Sequence, residues 1–303
     1  MNYYKVEAIE TPQRQREFVA QCDLVLEQNM ERVAKQIVAA PELRLLGLTG
    51  PTCSGKTTAA NKLTDYFEKH GHRVHVISID DFYYDKDYLN KRAEEDPDIE
   101  VDYDSEDTID IELLSAKTES LLACKETRMP RFDFQTGYRT EGTVLTPQKD
   151  DIFLFEGIQI LYPKVHAILR GEAYRSIYIC PSSSIQIGDE LFEPNELRLM
   201  RRLVRDFRYR ATDPEFTLYL WQSVRENEEK NIFPNAHFCH DVIDSTMPYE
   251  VGMLKPYLEE ILPQILKTSE FYGEAQTILQ SISAVPVIPS DYMTPNSLYK
   301  EFI

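Results

Sequence analysis

The sequence predicts an α/β fold, a parallel sheet with helices on both faces. Two observations predict it. Apolar runs of strand length alternate with segments of helical periodicity. The first of these runs breaks into a glycine-rich loop, and a helical pattern follows at once. Strands separated by helices are joined by crossovers, which makes them parallel neighbours.

The elements follow in order. Residues 14–40 place Phe18, Cys22, Val25, Leu26, Val33 and Ile37 near helical spacing, and Pro41 ends this amphipathic helix. LRLLGLTG at 43–50 reads as a buried strand. A helix from about Gly55 to Lys69 comes next, with a turn at His70-Gly71. RVHVISID at 73–80 is a second strand, rich in Val and Ile. Residues 109–124 are helical. DIFLFEGI at 151–158, RSIYIC at 175–180 and HDVID at 240–244 supply a third, fourth and fifth strand. The charged segment 194–230 reads as helical, as do 250–267 and 272–283. In such sheets ligands bind beyond the carboxyl ends of the strands.

Composition narrows the function. The 303 residues are enough for one large domain with appendages, and 42% hydrophobic with 28% charged residues is an ordinary globular balance. A formal net charge of −18 repels nucleic acid and anionic membranes, so neither is an expected partner. It repels nucleotides too, so any phosphate site needs local positive potential. The five cysteines, Cys22, Cys53, Cys124, Cys180 and Cys239, are odd in number and widely spaced. That argues against a disulfide framework or zinc site and for a reducing compartment. With no apolar signal core and no run of about 18 apolar residues, a cytoplasmic protein is expected.

Gly50-Pro51-Thr52-Cys53-Ser54-Gly55-Lys56-Thr57 fits G-x-x-x-x-G-K-[ST] in full, between a predicted strand and a predicted helix. The glycines let the backbone curl so that N–H groups point inward, and the helix adds its positive end. In this pattern Lys56 reaches the β- and γ-phosphates of ATP, and the Thr57 hydroxyl ligates Mg²⁺. Cys53 reads first as a small residue that fits, with a redox-sensitive thiol as the alternative.

Phosphate transfer to an alcohol needs a carboxylate near the hydroxyl and another near the metal. Asp80 closes the second strand and Glu156 the third, at the edge where the loop lies. Asp80 is the candidate base, Glu156 the candidate metal-side acid, and Asp81 suits a helix N-cap. The run 94–110 holds ten acidic residues and no basic one. It reads as a solvated face, one member of which could hold a polyol. Arg198, Arg201, Arg202 and Arg205 fall on one helical face, and 196–210 carries six arginines against two acids. Surface ion pairs would explain such a stripe. An arginine lid that closes over the triphosphate explains it better in so acidic a chain.

With these residues in view, the chain resembles the uridine kinase and phosphoribulokinase family of P-loop kinases over roughly 43–245. The resemblance implies a P-loop NTPase-type sheet with a small β-hairpin over the acceptor site and a helical arginine lid. GPTCSGKTT looks like its phosphate loop. Ser78-Ile79-Asp80-Asp81-Phe82-Tyr83 is similar to S-x-D-S-F-Y, whose aspartate is the family's base and maps to Asp80. Residues 102–110 are similar to N-F-D-H-P-D-A-F-D, which places a ribose-binding carboxylate on Asp104. Residues 130–139 resemble P-x-Y-D-F-x-x-H-x-R, the hairpin. Phe155-Glu156-Gly157-Ile158 and Arg198 through Asp206 match F-E-G-I and the start of the lid. The resemblance thus implies ATP contacts from residues 50–57, Thr58 and Arg210. It implies catalytic roles for Lys56, Asp80, Arg202 and Arg205, and acceptor contacts from Asp80, Tyr83, Asp104, Phe132, Arg139 and Arg202. Thr57 and Glu156 would hold Mg²⁺. Trp221-Gln222-Ser223-Val224, Tyr249-Glu250 and the closing Ser297-Leu298-Tyr299-Lys300-Glu301-Phe302-Ile303 look closer to a bacterial uridine kinase-like branch.

The implied organisation is an N-terminal helical extension at 1–41, a kinase domain at 42–270 with its lid at about 194–230, and a C-terminal helix and tail at 271–303. The family's base-contacting Tyr and His are Phe132 and Gly137 here. In the lid, Ala211 and Thr212 replace the Gly and Arg of R-G-R, and Leu220 replaces a glutamine. Phosphate chemistry looks preserved and acceptor recognition altered. The expected function is transfer of phosphate from ATP to a small alcohol, a nucleoside first. The alternatives are another small alcohol (sugar phosphate, pantothenate, glycerate) or a non-catalytic ATP-binding sensor. Homo-oligomerisation is left open.

Overall fold

The structure is a computed structural model that describes residues 3–303 except 8, 10, 96–104 and 172. Among the described residues, five parallel strands form the central sheet: β2 (Leu45–Thr49), β3 (Val74–Ser78), β6 (Ile152–Glu156), β7 (Tyr174–Cys180) and β10 (Asp241–Asp244). Their order is β3-β6-β2-β7-β10. The two remaining sheets are small. One pairs β4 (Thr127–Asp133) with β5 (Tyr138–Leu145) as an antiparallel hairpin. The other joins β1 (Tyr3–Val6), β8 (Ser184–Ile187) and β9 (Glu190–Phe192).

The alternation of side chains along the strands builds two cores, one on each face. Leu46, Leu48 and Leu154 meet α1 (Pro12–Val38), α2 (Lys56–Lys69) and α8 (Glu250–Ile261) in the larger core. Leu45, Phe153 and Phe155 face the other way, toward α4 (Ile111–Leu122), α5 (Pro163–Leu169) and the hairpin. Every predicted strand and helix is present, and most end within a few residues of expectation. Segment 250–267 is shorter than expected, because α8 stops at Ile261 before Pro263. α3 (Lys86–Glu95), β1 and the β8–β9 hairpin were not anticipated. Strands of three or four residues carry too few side chains for a period of two to show.

The arginine-rich segment is two helices rather than one. A capping box between Glu193 and Glu196 starts α6 (Pro194–Arg210), with Pro194 in its first turn. Ala211 adopts a left-handed conformation (φ 50°) and stops it. Asp213 then caps α7 (Pro214–Asn227) by accepting from Glu215 N at 2.8 Å.

The extension and the tail fold onto the sheet domain. Asp23 of α1 is buried, and its carboxylate accepts from Tyr249 Oη at 2.7 Å, Ser297 Oγ at 3.0 Å and Thr294 Oγ1 at 2.6 Å. One buried acid thus ties α1, the start of α8 and residues 294–297 together. α9 (Tyr272–Ile282) packs against α8 in the same core.

Candidate active site

The carboxyl ends of β2, β3 and β6 converge because the strands are in register. Leu48 pairs with Glu156, and Glu156 pairs with Ser78. The phosphate loop leaves β2, a short 3₁₀ turn (Ile79–Phe82) carrying Asp80 leaves β3, and Glu156 ends β6. They border a cavity of about 390 Å³. Lys56, Thr57, Asp80, Glu156, Arg202 and Arg205 all line it. Six residues from four distant stretches of sequence therefore meet at one place.

Inside the loop, Lys56 Nζ donates to Gly50 O and Pro51 O, each at 2.9 Å. Burial pushes the Lys56 ammonium below its ordinary pKa, and Glu301, Glu156 and Asp80 push it back up. Burial also raises Asp80 and Glu156, with Lys56 opposing both. Ser54 Oγ is buried with no hydrogen-bond partner among the described groups. An orphan hydroxyl inside an anion-binding loop fits a phosphate oxygen as its partner. The hydroxyl of Thr57 and the carboxylate of Glu156 are the hard oxygen donors that Mg²⁺ takes alongside phosphate. The residues present therefore fit ATP with Mg²⁺.

Gln159 completes the carboxylate's setting. It is 2% exposed; its Nε2 donates to Asp80 Oδ1 at 2.6 Å and to Tyr83 Oη at 3.0 Å. Gly157 makes room for it, since a Cβ there would fall 2.5 Å from Gln159 Oε1. Asp81 turns the other way. Its Oδ1 accepts from Phe132 N at 3.0 Å, and it borders a separate cavity with Pro130 and Arg131. So Asp81 pins the hairpin rather than capping a helix.

The arginine stripe divides by position. Arg198 forms a buried bidentate pair with Glu228 (2.5 and 2.7 Å) and reaches Thr52 O at 3.3 Å. Arg201 pairs with Glu250 (2.6 and 2.9 Å) and donates to Cys53 O at 3.2 Å. These two hold the outside of the phosphate loop. Arg202 and Arg205 share Asp206 and face the cavity, and Arg210 joins them at its rim. The expectation of one lid face thus resolves into two arginines buried against the loop and three that border the cavity.

The other expected contacts are spread more widely. Thr52, Cys53 and Ser54 line the cavity, while Gly50, Pro51 and Gly55 shape the loop behind it. Cys53 is buried with φ 57°, an unusual conformation for a residue with a side chain. Thr58, in the first turn of α2, stands just outside the lining and donates to Glu301, which is part of it. Tyr83 lines the cavity with Phe134, which is 68% exposed. Phe132 is 8% exposed and packs behind those two, with ring centroids 5.4 and 5.1 Å away. Arg139 lies outside the lining and pairs with Asp110 at 2.9 Å. Asp104 lies outside the described residues. The sequence does not single out Gln159, and it marks Glu228 and Glu301 only as members of the bacterial-branch motifs, with no role at the site. Glu228 and Glu301 lie far along the chain from the loop they touch, and Gln159 sits just past a motif that drew attention to its neighbours.

Among the described residues no helix is long and apolar enough to cross a membrane. Comparison with known proteins bears on the identity of the site. The model of the "Phosphoribulokinase / Uridine kinase family" matches residues 45–250. A uridine kinase of Lactobacillus helveticus is 26% identical over 224 residues, covering 73% of this chain and 96% of that protein. A uridine kinase of Staphylococcus aureus is 28% identical over 200 residues, covering 66% of this chain and 86% of that one. The solved structure titled "Structure of YGR205w protein" shares the fold with a TM-score of 0.50 at 15% identity, covering 72% of this chain and 89% of that one. With a phosphate loop, two strand-end carboxylates and cavity-facing arginines in one place, and with two thirds of its length matched, this chain belongs to the phosphoribulokinase and uridine kinase family of P-loop kinases.

Proposed function

We propose that this kinase moves the γ-phosphate of ATP to a hydroxyl of a small molecule, with the 5′-hydroxyl of a nucleoside as the leading acceptor. The observation that carries the reading is the shared cavity of Lys56 and Asp80, one wall of which is aromatic. Tyr83 and Phe134, with Phe132 behind them, offer flat apolar surface within reach of the candidate base. A flat heterocycle suits such a wall. Uridine kinases are also the curated relatives cited above.

Each residue then has a physical task. The loop N–H groups and Lys56 bind the phosphates. Asp80 accepts the acceptor's proton as the new O–P bond forms and the bond to the β-phosphate oxygen breaks, releasing ADP. Arg202 and Arg205 offset the charge spread over the transferring phosphoryl oxygens. Thr57 and Glu156 would hold Mg²⁺, which supplies charge neutralisation at the β- and γ-phosphates. Gln159 keeps the Asp80 carboxylate aimed at the cavity.

A second reading, another small alcohol as acceptor, draws on a different observation. Where the family hairpin presents a phenol, this chain has buried Phe132, which offers no hydrogen bond to a base. The test is ADP release with a panel of nucleosides, sugar phosphates, pantothenate and glycerate. The nucleoside reading expects acceptor-dependent turnover with at least one nucleoside and none with the others. Turnover with glycerate or a sugar phosphate alone would replace it.

A further inference from the structure

Residues 297–302 reach the phosphate loop from the far end of the chain. Leu298, Tyr299 and Phe302 are buried. Tyr299 Oη donates to Glu250 Oε2 at 3.0 Å, and the Arg201 guanidinium lies over the rings of Tyr299 and Phe302 at 5.4 and 5.1 Å. Leu298 abuts Gly55, where a Cβ would fall 2.6 Å from Leu298 Cδ1. These anchors deliver Glu301. Its Oε2 accepts from Thr58 N at 3.2 Å and from Thr58 Oγ1 at 3.0 Å.

Thr58 is the third residue of α2. The N–H groups of a helix's first turn have no partner within the helix. Behind a phosphate loop they are donors for phosphate oxygens. Glu301 also lines the cavity with Lys56 and Thr57, and its charge helps to hold the Lys56 pKa up against burial. The family match ends at residue 250, so this segment lies outside it.

We infer that Glu301 is a residue of the donor site: its carboxylate holds the Thr58 anion seat, a phosphate group of the donor must displace it, and the segment thereby sets the site's affinity for phosphate. The inference rests on the kinase reading above. Carboxylate and phosphate oxygens seek the same donors, and two anions cannot share one pair of them. Anchoring by Leu298, Tyr299 and Phe302 makes Glu301 an intramolecular competitor at high effective concentration. Its backbone need not move for the side chain to leave. A second cavity, of about 660 Å³, opens beside it between α1, α2 and residues 295–301, and Glu301 borders both.

A purely structural role predicts something else. As a simple cap of α2, Glu301 would stabilise the loop and, through it, ligand binding. Glutamine at this position keeps an oxygen for Thr58 but loses the charge, and a neutral hydrogen bond is about half as strong as a charge-assisted one. The experiment is calorimetric titration of ADP and of inorganic tripolyphosphate, each with Mg²⁺, into the full chain and its Glu301→Gln and Glu301→Ala variants. Both variants should bind both probes about tenfold more tightly, the size expected for removing one charge-assisted competitor. Unchanged or weaker binding by both variants, with normal binding by the parent protein, overturns the inference and leaves the kinase reading standing. If neither parent nor variants bind either probe, both fall together. Binding by the variants alone would support the inference most directly.

Discussion

Gln159 Nε2 lies 2.6 Å from Asp80 Oδ1 and 3.0 Å from Tyr83 Oη, so one buried amide fixes both the candidate base and the phenol beside it. Burial raises the Asp80 pKa, and the Gln159 hydrogen bond opposes that rise by favouring the charged form. The base works only when ionised, so activity should fall as pH drops through the raised pKa. Gln159→Leu removes the opposing bond, and the acid limb of kcat should move to still higher pH. At neutral pH we expect about a tenfold loss, the scale of one hydrogen bond to a charged group. A pH–rate profile that keeps its acid limb in place would show that Gln159 only fills space.

Asp80 and Asp81 are adjacent but face different cavities. Asp80→Asn should cost about 10²-fold or more in kcat while ATP binding survives, because asparagine cannot take the proton. Asp81→Asn should cost much less and act through the hairpin, whose Phe132 N–H it holds. Steady-state ADP release beside calorimetric ATP binding separates the two. The reverse result would move the base to Asp81.

Arg202→Ala and Arg205→Ala should each lower kcat by about 10²-fold with little change in stability, as expected of groups that stabilise charge in the transition state. Arg201→Ala should behave differently. It leaves the fully buried Glu250 charge without its cation, and breaking such a pair costs about 3–5 kcal/mol. Urea unfolding of the three variants checks the contrast. Equal destabilisation by all three would make the whole stripe scaffold.

Asp151 links β3 to the start of β6. It accepts from Arg73 Nε at 3.0 Å, His75 Nε2 at 2.8 Å and Gln148 N at 2.9 Å. Burial would raise its pKa, but the Arg73 and Gln148 hydrogen bonds win and hold it at about 2. A carboxyl depressed on folding adds stability above its unfolded pKa and loses it as pH falls through the folded one. The contribution, about 2–3 kcal/mol on linkage grounds, should be complete above roughly pH 5 and vanish toward pH 2. Asp151→Asn should remove this part of the acid sensitivity in denaturant melts between pH 6 and pH 2.

The sheet, the phosphate loop and the acids at the strand ends are legible in the amino-acid sequence. Those features are local: an apolar run, a glycine spacing and an acid at a strand end are each written within ten residues. The same holds for Lys56, Thr57, Asp80 and Glu156, whose meeting follows from parallel strands in register. Which arginines face the cavity is settled only by the tertiary packing. Arg198, Arg201, Arg202 and Arg205 share one helical face, yet Glu228 and Glu250, 30 and 49 residues on, claim the first two. Periodicity gives a side chain's direction but not its partner. Glu301 is the extreme case, 243 residues from Thr58 in sequence and 3.0 Å from it in space. Its place depends on Tyr299, Phe302 and Leu298 finding pockets made by α6, α8 and the loop, and no local pattern encodes a contact that only packing creates.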